Sequence, residues 1–123
     1  MIEHVGIRVR DIQNAKAFYG AALAPLGYEL IMEIDVPGYV GLGFGVGKKP
    51  DFWVGSGEPN GPVHVAIAAK DRAAVDAFHA AALAAGAKDN GAPGPRPQYH
   101  PGYYGAFVLD ADGNNIEAVC HGP

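Results

Sequence analysis

Apolar and polar residues alternate along this chain with two periods, and the period changes at aspartate, glycine and proline. Ile2–Val9 is rich in β-branched residues and reads as a strand. Asp11 follows as an N-cap, and Ile12, Ala15, Phe18, Tyr19, Ala22 and Leu23 fall on one helical stripe. Pro25 and Gly27 end that helix. Three apolar stretches come next, Tyr28–Ile34, Tyr39–Val46 and Phe52–Val54, separated by the turn-forming Val36-Pro37-Gly38 and Gly45–Pro50. The first half predicts β-α-β-β-β.

The second half predicts the same order. Val63–Ala69 reads as a strand, Asp71 caps a helix running through Leu83, and Gly86 closes it. A short strand is expected at Ala87–Asp89 and a long loop over Gly91–Gly105. Ala106–Leu109 and Asn115–Cys120 then form a hairpin across Asp110-Ala111-Asp112-Gly113-Asn114, where Asp-Gly supplies the turn.

The two halves echo each other in residues as well as in order. His4-Val5-Gly6-Ile7-Arg8-Val9 returns as His64-Val65-Ala66-Ile67-Ala68-Ala69, and nine of the twenty aligned positions from His4 to Leu23 are identical. A period this long in 123 residues means two copies of one supersecondary unit, about 1–60 and 61–123, within a single domain.

Bulk composition narrows the function classes. The chain is 49% hydrophobic and 18% charged, with a net charge of −4, which argues against nucleic acid as the main partner because phosphate binding needs a basic face. No apolar run approaches the roughly 20 residues of a membrane span, and no signal-peptide pattern precedes the first strand, so no membrane partner is expected. The single cysteine, Cys120, cannot form an internal disulfide and reads as a small buried residue; a cytoplasmic location is the expectation.

Strand alternation places His4, Gly6 and Arg8 on one face of the first strand and His64, Ala66 and Ala68 on the equivalent face of its repeat. On the last strand Asn115, Glu117 and Val119 share a face, and Glu117 is an acid set between Ile116 and Ala118. Two imidazoles and one carboxylate from three strands form a facial donor set with open positions for water and substrate. That chemistry suits a divalent metal ion, Fe, Mn, Ni, Co or Zn, held by His4, His64 and Glu117.

Other residues extend the candidate site. Arg8 offers a guanidinium fork for a substrate anion, and Trp53 a substrate wall. The segment Pro97–Tyr104 contains Tyr99 and Tyr103 as candidate substrate contacts and His100 as a candidate general acid or base. His79, on an alanine-rich helix, and His121, near the end, are expected in solvent. The glycine-rich Gly41–Lys48 stretch lacks P-loop spacing and falls between strands, so a phosphate loop is rejected.

The paired β-α-β-β-β modules, the histidine opening each module and the closing Asp-Ala-Asp-Gly-Asn-Asn-Ile-Glu resemble the vicinal-oxygen-chelate superfamily over essentially the whole chain. This group includes glyoxalase I, extradiol dioxygenases, fosfomycin-resistance thiol transferases and bleomycin-binding proteins. The resemblance implies an α+β fold in which two βαβββ modules form an open, barrel-like sheet cleft. It also implies metal ligands at His4, His64 and Glu117, a glyoxalase-like lyase or isomerase chelating a small oxygen-rich substrate, and a homodimer.

Alternatives from the same resemblance are an Fe(II) extradiol-type dioxygenase, a fosfomycin-type thiol transferase and a non-catalytic small-molecule binding protein. Two positions distinguish this chain within the group. Glyoxalase I carries a further acidic ligand where Trp53 aligns, whereas Arg8 matches the arginine with which glyoxalase I grips glutathione.

Overall fold

The computed structural model describes residues 1–59 and 61–122. The predicted boundary between the modules falls at Asn60, outside the described residues. The first module contains β1 (Val5–Val9), α1 (Ile12–Leu23), β2 (Glu29–Val36), β3 (Tyr39–Val46) and β4 (Lys49–Ser56). The second contains β5 (His64–Ala68), α2 (Arg72–Ala84), β6 (Lys88–Pro95), β7 (Tyr103–Leu109) and β8 (Asn115–His121). Both helices start where aspartate caps them: the side chain of Asp11 accepts from the Asn14 N–H at 3.0 Å, and that of Asp71 from the Ala74 N–H at 2.8 Å.

Each module folds its strands into one four-stranded sheet, ordered β1-β4-β3-β2 and β5-β8-β7-β6. The opening strand of each pairs in parallel with the last, and the other pairs are antiparallel. The result is an α+β fold of two mixed sheets that do not close on each other, with β1 and β5 left as edges.

Alternation decides which face of each sheet is buried. Ile7, Val9, Leu42, Phe44, Phe52 and Val54 point to the helix side, where they join Phe18, Tyr19, Ala22 and Leu23 in the core. Ile67, Ala106, Val108, Ile116, Ala118 and Cys120 do the same in the second sheet against Val75, Phe78 and Ala82. The opposite face of each sheet carries no helix, and the candidate chemistry lies there.

A buried polar bridge joins the modules. The Tyr19 hydroxyl on α1 donates to Asp110 Oδ2 at 2.6 Å, in the turn between β7 and β8. Asp110 also accepts from Asp112 N, Asn114 N and Asn114 Nδ2, and Asn114 Oδ1 accepts from Val63 N at 3.1 Å. One carboxylate thus fixes the entry to β8, and the asparagine it holds fixes the entry to β5. Burial pushes the Tyr19 phenol well above its ordinary range, with the Asp110 charge adding to the effect.

Three expectations are corrected. The predicted loop Gly91–Gly105 shrinks to Arg96–Gly102, because β6 runs on to Pro95 and β7 begins at Tyr103. The strand expected at Ala87–Asp89 is the start of β6; Gly91, Pro93, Gly94 and Pro95 hide the rest of it from propensity, but it is an edge strand whose pairing with β7 shifts register twice, and such an edge tolerates proline. The strand expected at Phe52–Val54 extends over Lys49–Ser56. His79 is buried, with Nε2 3.0 Å from Asp89 Oδ1, because α2 packs beside β6. Among the described residues no helix is long and apolar enough to cross a membrane.

Candidate functional site

The helix-free face of the second sheet brings three predicted residues into contact. His64 opens β5, and cross-strand register puts Glu117 beside Ala66 on one side and Phe107 on the other. From there His64 Nε2 lies 2.8 Å from Glu117 Oε1, while the Tyr103 hydroxyl donates to Glu117 Oε2. Glu117 is 1% exposed although it points away from the core, since Tyr103 and His64 close over it. Gly105 makes that possible: a Cβ there would lie 3.2 Å from both Glu117 Oε2 and the Tyr103 ring.

Glu117 is a buried carboxylate whose cation-capable contact among the described residues is an imidazole. Such a group is costly to bury unless hydrogen-bonded and charge-compensated. Burial and the hydrogen bond to Glu117 push the Tyr103 phenol up to about 12, so its proton stays on the phenol at neutral pH.

Around this group, Tyr99 meets Tyr103 edge-on at 5.2 Å, and the ring of His121 lies 5.2 Å from Tyr103 and 5.3 Å from His100. A cavity of about 350 Å³ adjoins the group, lined by Asn90, Gly91, Arg96, Tyr99, Phe107 and Asn115. Asn115 sits directly across from His64 and keeps a buried Oδ1 with no donor.

His4 is placed differently. It precedes β1, its side chain is 58% exposed, and its Nδ1 contacts Glu3, which also pairs with Lys49. A gap of about 440 Å³ between the modules is lined by Glu3 and Val5 on one side and by His64 to Ala68 on the other. His4 therefore lies between two residues that border the same gap as His64. Among the described residues no three His, Cys, Asp or Glu side chains converge as a ready metal cluster.

The family model for the Glyoxalase/Bleomycin resistance protein/Dioxygenase superfamily matches residues 1–118. The chain belongs to this superfamily. A glyoxalase/bleomycin resistance protein from Albidiferax ferrireducens superposes with a TM-score of 0.74 at 28% identity, covering 95% of this chain and 96% of that one. Glyoxalase I from Zea mays superposes with a TM-score of 0.71 at 25% identity over 99% of this chain, which spans only 45% of the maize chain. A superfamily enzyme from Burkholderia phytofirmans shares the fold, with a TM-score of 0.67 at 24% identity over 96% of each chain. No curated protein matches the sequence.

In this superfamily member the remaining predicted residues lie on the first sheet. Arg8 and Trp53 both face the helix-free side, since Arg8 pairs with Gly55 and Trp53 with Gly6 while Ile7 and Val54 turn inward. Neither touches the His64–Glu117 pair.

Asn115, Phe107, Arg96 and His121 escaped sequence reasoning as members of the site. Phe107 packs 6.2 Å from the His64 ring, and Arg96 stacks over Phe107 at 5.5 Å. Alternation had already put Asn115 on the face of Glu117 without a role, and the same alternation extends to His121. Arg96 had no such signal.

The donor set suits a divalent ion. A buried carboxylate, an imidazole 2.8 Å from it and an amide oxygen beside them with no donor are hard or borderline ligands, and among the described residues no Lys or Arg forms an ion pair with that carboxylate.

Proposed function

We propose that this superfamily member is a metal-dependent, glyoxalase-like lyase or isomerase that binds a small oxygen-rich substrate on the helix-free face. The observation that supports it most is the His64–Glu117 pair, a buried carboxylate and an imidazole 2.8 Å apart, with Asn115 and Phe107 beside them lining a cavity. His64, Glu117 and His4 would hold the ion, His4 after giving up Glu3. When bound, a divalent metal supplies Lewis acidity, gripping adjacent substrate oxygens and stabilising negative charge on them.

The chain's own residues divide the remaining work. Tyr103 orients Glu117 through its hydrogen bond and carries a proton at neutral pH. Tyr99 packs against Tyr103 and walls the cavity. His100, whose ring lies beside that of His121, would serve as general acid or base. Arg8 binds an anionic part of the substrate from the first sheet. A homodimer, expected from the resemblance, would cover the open edges at β1 and β5.

Elemental analysis of protein purified without chelator tests this reading. Wild type is expected to retain close to one metal per chain, with His64→Ala and Glu117→Gln retaining little. Equally low metal in all three contradicts it. A second reading, a small-molecule binding protein without catalysis, draws support from His4 being engaged by Glu3. It predicts that low-metal outcome together with ligand binding.

A further inference from the structure

The helix-free face of the first sheet is floored with glycine. Gly6, Trp53, Gly43 and Met32 form one cross-strand row, and Arg8, Gly55, Gly41 and Ile34 the next. Side chains on a strand ordinarily stand up from the sheet. Here two aromatic side chains reach across the glycines of neighbouring strands. A Cβ on Gly43 would meet Trp53 Cη2 at 2.9 Å, so the indole is spread over that glycine. A Cβ on Gly41 or Gly55 would meet the Tyr39 hydroxyl at 2.9 or 2.6 Å, so the phenol is spread over both. The space the glycines leave is filled by these two aromatic side chains, and Tyr39 remains 40% exposed to whatever approaches the sheet.

The borders of this platform are distinct. On one side stands Arg8, directly beside Gly55, which forms no ion pair among the described residues. On the other side Met32 and Ile34 remain exposed, at 47% and 38%. A ring face attracts a planar π system, an unpaired guanidinium attracts a carboxylate and stacks on aromatic planes, and exposed aliphatics favour an apolar edge.

We infer that Trp53, Tyr39 and Arg8 form a stacking platform for a planar aromatic carboxylate, which makes an aryl acid the substrate class. The inference rests on the proposed reading that Arg8, on the helix-free face of the first sheet, binds an anionic part of a small-molecule substrate. It does not depend on the metal.

Trp53 is the single tryptophan of the chain, so its emission reports on the platform alone. Chelator-treated protein is titrated with 2-naphthoate, and with cyclohexanecarboxylate as a saturated counterpart, by Trp53 fluorescence and calorimetry. Saturable quenching at one site per chain is expected for 2-naphthoate only. Loss of the guanidinium in Arg8→Leu, or of the indole in Trp53→Leu read by calorimetry, should weaken binding by about tenfold or more. Gly43→Val, which lifts the indole, should weaken it too, with circular dichroism verifying the fold. No saturable binding, equal binding of the saturated acid, or unchanged affinity in Arg8→Leu and Trp53→Leu overturns the inference. Because metal is absent throughout, failure here leaves the metal retention of His64 and Glu117 to be judged separately.

Discussion

Trp53 occupies in the first sheet the place that Glu117 occupies in the second. Trp53 pairs with Gly6 across the parallel strand and with Gly43 across the antiparallel one; Glu117 pairs with Ala66 and Phe107 in the same two directions. Tyr39 and Tyr103 correspond likewise, each lying over the glycine two residues on, Gly41 or Gly105. The two faces are similar in register and differ in the side chains they carry: an indole stands in one where a carboxylate stands in the other, and Gly43 where Phe107 does.

The Tyr103–Glu117 hydrogen bond sets an alkaline dependence. The phenol rises from its ordinary 10.0 to about 12, chiefly through burial, with Glu117 next. A raised phenol favours the folded state below pH 10, and that contribution is lost as pH climbs toward 12. Absorbance titration at the tyrosinate band is expected to show one late-ionising phenol fewer in Tyr103→Phe than in wild type. Tyr19, Tyr28 and Tyr104, also raised, should be unaffected.

Tyr19→Phe should destabilise the fold by about 2 kcal/mol in urea unfolding, since it removes a buried hydrogen bond to a carboxylate. Tyr104→Phe also loses a bond to a carboxylate, Asp76, but at an exposed site, and should cost less than about 0.5 kcal/mol. Equal costs would deny the Asp110 bridge a role in joining the modules.

Glycine positions divide sharply. A Cβ at Gly45 would collide with the Lys49 carbonyl oxygen and sit 2.9 Å from Pro50 Cα, so Gly45→Ala forces backbone apart and should cost about 2 kcal/mol or more. Gly20 lies within α1 with nothing within 4 Å of its added Cβ. Gly20→Ala should therefore stabilise by about 0.5–1 kcal/mol. Thermal melts of both variants check the contrast.

Acid sensitivity should trace partly to Asp89. The Gly91 N–H first, then the His79 ring, hold its carboxyl below the ordinary 3.8. A depressed carboxyl adds stability above 3.8 that is lost as pH falls through its lower folded value. Asp89→Asn should lower the urea midpoint near neutrality and converge with wild type at the acid end, so that its midpoint falls less as pH drops.

The helices were readable from sequence because capping is local: Asp11 and Asp71 each sit three residues before the N–H they accept from. The echo was readable over the first strand and helix, where the offset from His4 to His64 is sixty. Later the offset becomes 64, as from Tyr39 to Tyr103 and from Trp53 to Glu117, because the connections between strands differ in length, so the matching of the two tyrosines was hidden. The start of strand β6 was readable at Ala87–Asp89, but its continuation to Pro95 was hidden by its own glycines and prolines, and the packing of α2 beside it, which buries His79 against Asp89, is not local in sequence. The Tyr103–Glu117 contact depends on cross-strand register and on the space at Gly105, neither of which is local in sequence.

We propose that both module-opening histidines and Glu117 serve one metal. Imidazole nitrogen NMR of apo protein titrated with Zn(II) tests it most directly. His4 and His64 resonances are predicted to shift together and saturate at one equivalent, and Glu117→Gln should abolish both shifts. Movement of His64 without His4, or of neither, would contradict the account.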